Sequence, residues 1–309
     1  MRSGKLRRGM LVEVRSEGEI RATLDAQGKL DGLPFQEEMV QFCGRRLRVF
    51  RRAERVFLDR HYYVGRLTGS VLLEGVRCDG QAHAGCQMGC LLLWKEAWLK
   101  PVAHARPDDL PAPARPALAA RELPILQNGR FSCQATELVH AMPPLPWWDV
   151  RQYLRDFLDR DRPVGELVKM LRTLFQQKAR RLFRLSPQPA SANGQTRTPA
   201  VSLGLQPGDW VEVKPRREII ATLDATGRNR GLSFGPEMVK FCGGRFRVAN
   251  RVDRLTVEWS GQMRKISDTV ALDGATCDGL AYRGCPRDCY VLWREAWLRR
   301  ADEPAESPR

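Results

Sequence analysis

Hydrophobic and polar positions along this chain form short alternating runs, and the same runs occur twice. Leu11-Val12-Glu13-Val14 and Trp210-Val211-Glu212-Val213 alternate with the period of a strand. So do Arg46-Leu47-Arg48-Val49 and Arg245-Phe246-Arg247-Val248, whose apolar residues face a core and whose arginines face outward. A further strand is expected around Gly69–Leu73 and around Thr269–Leu272. Glu19–Asp25 and Glu218–Asp224 are too short for periodicity alone to separate helix from strand. Ser16, in capping-box spacing with Glu19, favours one or two helical turns. Gly28, Gly32, Gly227 and Gly231 mark turns, after which Glu38-Met39-Val40 and Glu237-Met238-Val239 read as single helical turns leading into a shared F-C-G. Near the end of each run, Trp94 and Trp98, and likewise Trp293 and Trp297, lie on one face of a helix or flank a strand-to-turn step, packed over the nearby cysteines.

One constant offset carries Gly9–Lys100 onto Gly208–Arg299 without a gap, so a whole domain is duplicated. The predicted fold is α+β: two tandem copies of a small β-rich domain, an SH3-like barrel as first choice, each with a four-cysteine metal site, separated by a helical middle region. The expected boundaries are 1–100 for the first copy, 101–128 for a Pro/Ala-rich linker, 129–185 for the helical middle, 186–206 for a second linker, 207–300 for the second copy and 301–309 for a disordered tail. Within the middle, Pro146–Leu158 and Val164–Leu185 read as helices. The latter carries apolar Leu167, Leu171, Leu174, Phe175 and Leu182, and either packs on the repeats or docks a partner helix.

The chemistry concentrates in Cys78–Trp98 and its copy Cys277–Trp297, where three cysteines recur in identical register. With the F-C-G cysteine, each copy offers four thiols: Cys43, Cys78, Cys86 and Cys90 in the first, Cys242, Cys277, Cys285 and Cys289 in the second. Four thiolates satisfy a tetrahedral zinc ion or an iron–sulfur cluster, so the expectation is two four-cysteine zinc sites, or alternatively two iron–sulfur clusters. Neither copy has the paired C-x-x-C of a zinc ribbon, which keeps both metals open. Cys133, the ninth cysteine, lies outside the repeats and reads as an incidental buried thiol.

Cys78-Asp79-Gly80-Gln81-Ala82-His83 is similar to the C-D-G-x-H end of the CDGSH iron–sulfur proteins, over these few residues alone. The histidine is displaced by one position, the family's upstream C-x-C is absent and Tyr282 replaces the histidine in the second copy, so no activity is carried over. His83 is then expected to be a surface histidine. Asp79 and Asp278 are expected to hold the turns before Gly80 and Gly279, and Glu96 and Glu295 to pair with adjacent Lys95 or Arg294 or accept an indole N–H. None of the four histidines recurs in both copies, and no nucleophile-elbow, phosphate-loop or H-E-x-x-H pattern is present, so the chain reads as non-catalytic.

Over 309 residues the formal net charge is +15, which points to an anionic partner, nucleic acid or acidic protein. Arg46, Arg48, Arg51 and Arg52, matched by Arg245, Arg247 and Arg251, are the candidate contact residues, because a guanidinium fork suits phosphate. The expected function is that of a metal-stapled binding protein; the alternative is an iron–sulfur electron carrier or redox sensor with one cluster per repeat. No apolar run has the length of a signal peptide or membrane span, and nine cysteines fit metal ligation in a reducing compartment, so a soluble, cytoplasmic location is expected.

Overall fold

The computed structural model describes residues 5–58, 63–103, 106, 108, 126–127, 129–146, 165–166, 168–173, 175 and 198–303. It is α+β and β-rich, with two five-stranded antiparallel sheets and a few short helices. By contact the chain divides into two compact units. The first comprises Met1–Thr173, Thr256–Arg264 and Asp278–Asp288, and the second Leu174–Leu255, Lys265–Cys277 and Cys289–Arg309.

In the first unit the strands are β1 Leu11–Val14, β2 Lys29–Leu30, β3 Leu33–Pro34, β4 Arg46–Arg52, β5 Arg55–Leu58, β6 Tyr63–Arg66, β7 Ser70–Arg77, β8 Leu91–Lys95 and β9 Leu99–Pro101. The sheet runs in the order β8-β7-β4-β1-β9, so the first strand pairs on one side with β4 and on the other with the last. Between β1 and β4 the chain makes the predicted helix, Glu17–Arg21. Ser16 caps it reciprocally with Glu19: the Glu19 N–H donates to the Ser16 hydroxyl, and the Ser16 N–H to the Glu19 carboxylate. A 3₁₀ turn over Glu37–Phe42 then leads to Cys43, as the sequence suggests.

β4 begins with the expected alternation, Leu47 and Val49 buried and Arg46 and Arg48 exposed. A bulge between Val49 and Arg51 then shifts its register against β7, and an odd shift sends the following side chains to the opposite face. Arg52 therefore turns inward, where its guanidinium donates to the Leu6 carbonyl, to Glu96 Oε1 at 2.6 Å and to Glu54. Glu96 Oε1 also accepts the Leu6 N–H, so the glutamate of W-x-E-A-W ties the N-terminal segment to β4 rather than pairing with adjacent Lys95.

Trp94 lies on β8 and Trp98 in the 3₁₀ turn Glu96–Trp98, which is the strand-to-turn alternative. Both are fully buried within the sheet's core. Trp98 stands edge-on to Phe35 at 5.5 Å and donates its indole N–H to Thr23 Oγ1.

A small hairpin, β10 Leu126–Gln127 with β11 Arg130–Phe131, precedes a helix over Gln134–Ala141. That helix seats on the first repeat through Gln134, whose buried side-chain amide accepts the Leu93 N–H and donates to the Leu93 and Pro34 carbonyls. It thereby satisfies the open edge of β8 as a neighbouring strand would. Pro146–Leu158 lies outside the described residues apart from Pro146, and so do most of the two linkers and the tail. Of Val164–Leu185, residues 165–166, 168–173 and 175 are described and helical; Met170 is buried, while Val168, Leu171 and Phe175 are exposed. No helix among the described residues is long and apolar enough to cross a membrane.

The second unit repeats the sheet with β12 Trp210–Val213, β13 Arg228–Asn229, β14 Leu232–Ser233, β15 Arg245–Arg251, β16 Arg254–Thr256, β17 Met263–Lys265, β18 Thr269–Thr276, β19 Tyr290–Arg294 and β20 Leu298–Arg300, the tip of the β16–β17 hairpin belonging to the first unit. Its order is β19-β18-β15-β12-β20. The bulge recurs between Val248 and Asn250, and Arg251 is drawn to Glu295 at 2.8 Å and Asp253 at 3.0 Å. Glu295 also accepts the N–H groups of Leu203 and Gly204.

The Glu295 side chain is 0% exposed and the Glu96 side chain 27%. Each arginine keeps a second carboxylate, Asp253 or Glu54, but Glu295→Ala also orphans two backbone N–H groups where Glu96→Ala orphans one, so Glu295→Ala is expected to cost about 3–5 kcal/mol and Glu96→Ala less. Adding Arg251→Ala to Glu295→Ala should restore part of the loss. Urea denaturation of the four proteins checks this order.

Candidate metal centre

The cysteine loop of the first repeat leaves β7 at Cys78 and returns to β8 after Cys90, the Cys78 N–H donating to the Cys90 carbonyl at 2.8 Å. Between them the backbone winds around one acceptor. The Gly80 carbonyl receives the N–H groups of His83 and Gly85, and Asp79 Oδ1 receives that of Gln81, which is the turn-holding role expected of the aspartate. Gly80 sits at φ +71° with the Cys86 carbonyl packed where a Cβ would stand, so only glycine fits. The loop is thus closed tightly around the Gly80 carbonyl, with the Cys86 backbone packed against Gly80.

His83 is not a surface residue. It is 3% exposed, with Nδ1 2.9 Å from Glu38 Oε1 and Nε2 3.7 Å from Cys78 Sγ. Glu38, itself buried, comes from the 3₁₀ turn ahead of Cys43 and also accepts the Ala82 N–H at 3.1 Å. Glu38, Cys78 and His83 are the one group among the described residues in which three potential ligand atoms lie within 4.8 Å of one another. Around them is a cavity of about 40 Å³, whose lining includes Cys78, His83, Cys86, Cys90, Cys133 and Thr256. That volume is far below the hundreds of Å³ of a small-molecule pocket.

Electrostatics follow from burial and this contact set. Burial opposes the imidazolium at His83, but the Cys78 and Cys86 sulfurs and Glu38 outweigh it and raise its pKa. Burial likewise works against the Glu38 carboxylate, which the His83 hydrogen bond nevertheless holds below its ordinary range. The Cys78 thiol is pushed up to about 11, chiefly by burial. At Cys86 burial acts the same way, yet hydrogen bonds from His83 and from the N–H groups of Thr256 and Met88 bring it down to about 7. Cys86 Sγ accepts the Thr256 N–H at 3.3 Å.

Among the described residues, neither predicted four-cysteine set gathers within the same 4.8 Å limit, and Cys86 and Cys90 lie outside it with respect to the Glu38, Cys78 and His83 group. Cys43 caps the 3₁₀ turn, half-buried; burial pushes it up to about 11, with Glu17 and Arg21 of the preceding helix as its charged neighbours. Cys242 is placed the same way in the second unit, where burial raises it against the influence of Arg216. Cys277 and Cys289 also belong to the second unit, the Cys277 N–H donating to the Cys289 carbonyl, whereas Cys285 belongs to the first. None of the nine cysteines is in a disulfide.

The part of the second loop in the first unit keeps the backbone plan. Gly279, at φ +71°, accepts from Tyr282 and Gly284, and Asp278 Oδ1 accepts the Leu280 N–H. Its side chains are spent on packing: Tyr282, in the place of His83, lies 4.9 Å from the Phe57 ring, and Cys285 Sγ accepts the Phe57 N–H at 3.4 Å. Phe57 and Thr256 are equivalent residues of the two repeats, as are Cys86 and Cys285, so the two N–H-to-sulfur bonds mirror one another.

Of the predicted anion contacts, Arg46, Arg48, Arg245 and Arg247 are exposed. Arg51 lies near Glu166 at 3.8 Å, and Arg52 and Arg251 are the inward-turned ion-pair partners described above. Glu13 on β1 stands between Lys100 and Arg46 on its neighbouring strands, and Glu212 between Arg299 and Arg245, so each row carries two cations for one carboxylate. Sequence alone does not pick out His83 or Glu38, although the spacing C-x4-H-x2-C-x3-C from Cys78 to Cys90 is a signal for the first; Cys133 is buried, as expected. No family model, curated protein or solved structure matches the chain.

Gly80→Ala combines left-handed backbone with a collision against the Cys86 carbonyl, whereas Gly9→Ala, at φ +80° with nothing within 4 Å, meets the backbone penalty alone. Gly9→Ala should cost about 1–2 kcal/mol and Gly80→Ala clearly more, read from thermal unfolding of the two variants.

Proposed function

We propose that this chain is a non-catalytic binding protein: two SH3-like barrels, stapled by zinc held on cysteine-loop side chains, that present arginine rows to an anionic macromolecule. The observation that carries the reading is the cavity lined by Cys78, His83, Cys86 and Cys90, with Glu38 bonded to the far nitrogen of the imidazole. Thiolate and imidazole together are zinc donors, and a carboxylate behind the histidine is the usual means of fixing its tautomer and aim. Metal bound there would join β7, β8 and the Glu38 turn, contributing directly to folding as structural zinc does.

Support for the barrels comes from the strand order, in which β1 lies between β4 and β9 and a 3₁₀ turn delivers the closing strand. The exposed Arg46, Arg48, Arg245 and Arg247, with Lys100 and Arg299 beside them, favour a polyanion over a neutral partner. The smallness of the cavity favours a structural over a catalytic role. A second reading, an iron–sulfur electron carrier, draws on the backbone N–H bonds to Cys86 and Cys285, since such bonds also tune cluster potentials.

Protein purified without oxygen is expected to be colourless and to contain zinc; a brown preparation with visible absorption would move the conclusion to the second reading. Gel-shift titration against duplex and single-stranded nucleic acid should show affinity that falls with salt. Changing Arg46, Arg48, Arg245 and Arg247 to Gln should flatten that dependence by roughly one unit of slope per lost phosphate contact. No binding to any nucleic acid in dilute salt would leave an acidic protein as the remaining polyanion.

A further inference from the structure

We propose that Cys78, His83, Cys86 and Cys90 form a single three-cysteine, one-histidine zinc site in the first repeat, with Glu38 as its positioning residue, and that Tyr282 denies the second repeat a counterpart. This rests on the metal-stapled reading above and limits it to one ion per chain, without Cys43.

The argument starts from the distance between donors. In a tetrahedral zinc site, a thiolate sulfur and an imidazole nitrogen lie about 3.5 Å apart, given their usual bond lengths to the ion. Cys78 Sγ and His83 Nε2 are 3.7 Å apart. Because Nδ1 faces Glu38 at 2.9 Å, the nitrogen left for a ligand role is the one beside the sulfurs. Cys86 lines the same cavity, its sulfur accepting the Thr256 N–H at 3.3 Å. Cys90 is taken as the fourth donor because its backbone is bonded directly to that of Cys78 and it is one of the residues that line the same cavity. Cys133 also borders the cavity, but it is carried on the segment after the repeat, and its neighbour Gln134 already fixes that segment without metal.

The second loop has the same backbone turn and the same three cysteines, yet the position of the imidazole is filled by a phenol whose ring is packed on Phe57. Tyr282 is a poor zinc donor beside histidine and thiolate. In the first unit, Gly284 is pressed against Arg55 and Met170, so this loop serves as filling for that side of the unit.

The test is zinc content and the Co(II) spectrum of the full chain and its variants. The expected result is one zinc per chain, kept in Cys43→Ser and Cys133→Ser and lost in Cys90→Ser and His83→Tyr, with cobalt absorption of a three-sulfur, one-nitrogen site. Should His83→Tyr fail to fold, His83→Cys decides: it should keep the metal and shift the cobalt spectrum to the four-sulfur type. Glu38→Gln should keep the stoichiometry and weaken zinc about 10- to 100-fold in competition with a chelator. Two zinc ions per chain, a His83→Cys spectrum identical to the parent, or loss of metal in Cys43→Ser or Cys133→Ser would overturn this assignment while leaving a metal-stapled protein. A parent chain that binds neither zinc nor cobalt would overturn both.

Discussion

A buried imidazole has to place both ring nitrogens, and at His83 that requirement organises the first repeat. One nitrogen is met by Glu38, delivered by the turn between β3 and β4, and the other faces sulfur delivered by the loop between β7 and β8. Two connections far apart in sequence are thereby held at one point, at the end of the sheet. An unpaired carboxylate or imidazole at this depth would cost several kcal/mol, so neither connection can move without the other. The loop reaches the point because Gly80 lets the Cys86 carbonyl approach its Cα and offers its own carbonyl to two N–H groups. Local backbone chemistry therefore sets the geometry, and the buried Glu38–His83 pair sets its place in the fold.

The same division between local and distant partners explains how far the sequence could be read. Alternation in β1 and β4, the Ser16 cap, the turn before Cys43 and the duplicated loop all depend on near neighbours, and all were legible. Arg52 and Arg251 were not, because a one-residue bulge reverses the face and leaves no mark in the hydrophobic pattern. Nor were the partners of Glu96 and Glu295, since each lies on a strand that only the folded sheet brings alongside. The two tryptophans of W-x-E-A-W fill the sheet's own core against Phe35 and Phe42, a cluster against which Cys43 and Cys78 also pack.

His83 was the most consequential residue to escape the sequence. Requiring candidate ligands to recur in both copies favoured the cysteines and discounted a histidine that had a tyrosine opposite it. That rule suits a duplication whose copies kept one task. Burial of His83 could not be inferred from Gln81-Ala82-His83-Ala84-Gly85, a small and polar stretch with no apolar period. Cys133 is buried as expected, but nothing near it in sequence indicates that the Gln134 side chain will close the β8 edge and bring it to the cavity.

Duplication supplies two loops with one backbone and lets their side chains take up different work. In the first unit, the loop around Gly80 turns polar donors toward one another, while the segment around Gly279 turns a phenol and a thiol toward Phe57 and the core. The glycine and aspartate that shape the turn are needed for either purpose, which is why they match where His83 and Tyr282 do not. Within the first unit, the Thr256 N–H donates to Cys86 Sγ, so one residue of the second repeat's sequence reaches a sulfur of the first. The loop that keeps the histidine is therefore packed, within the first unit, by residues from both halves of the duplicated sequence.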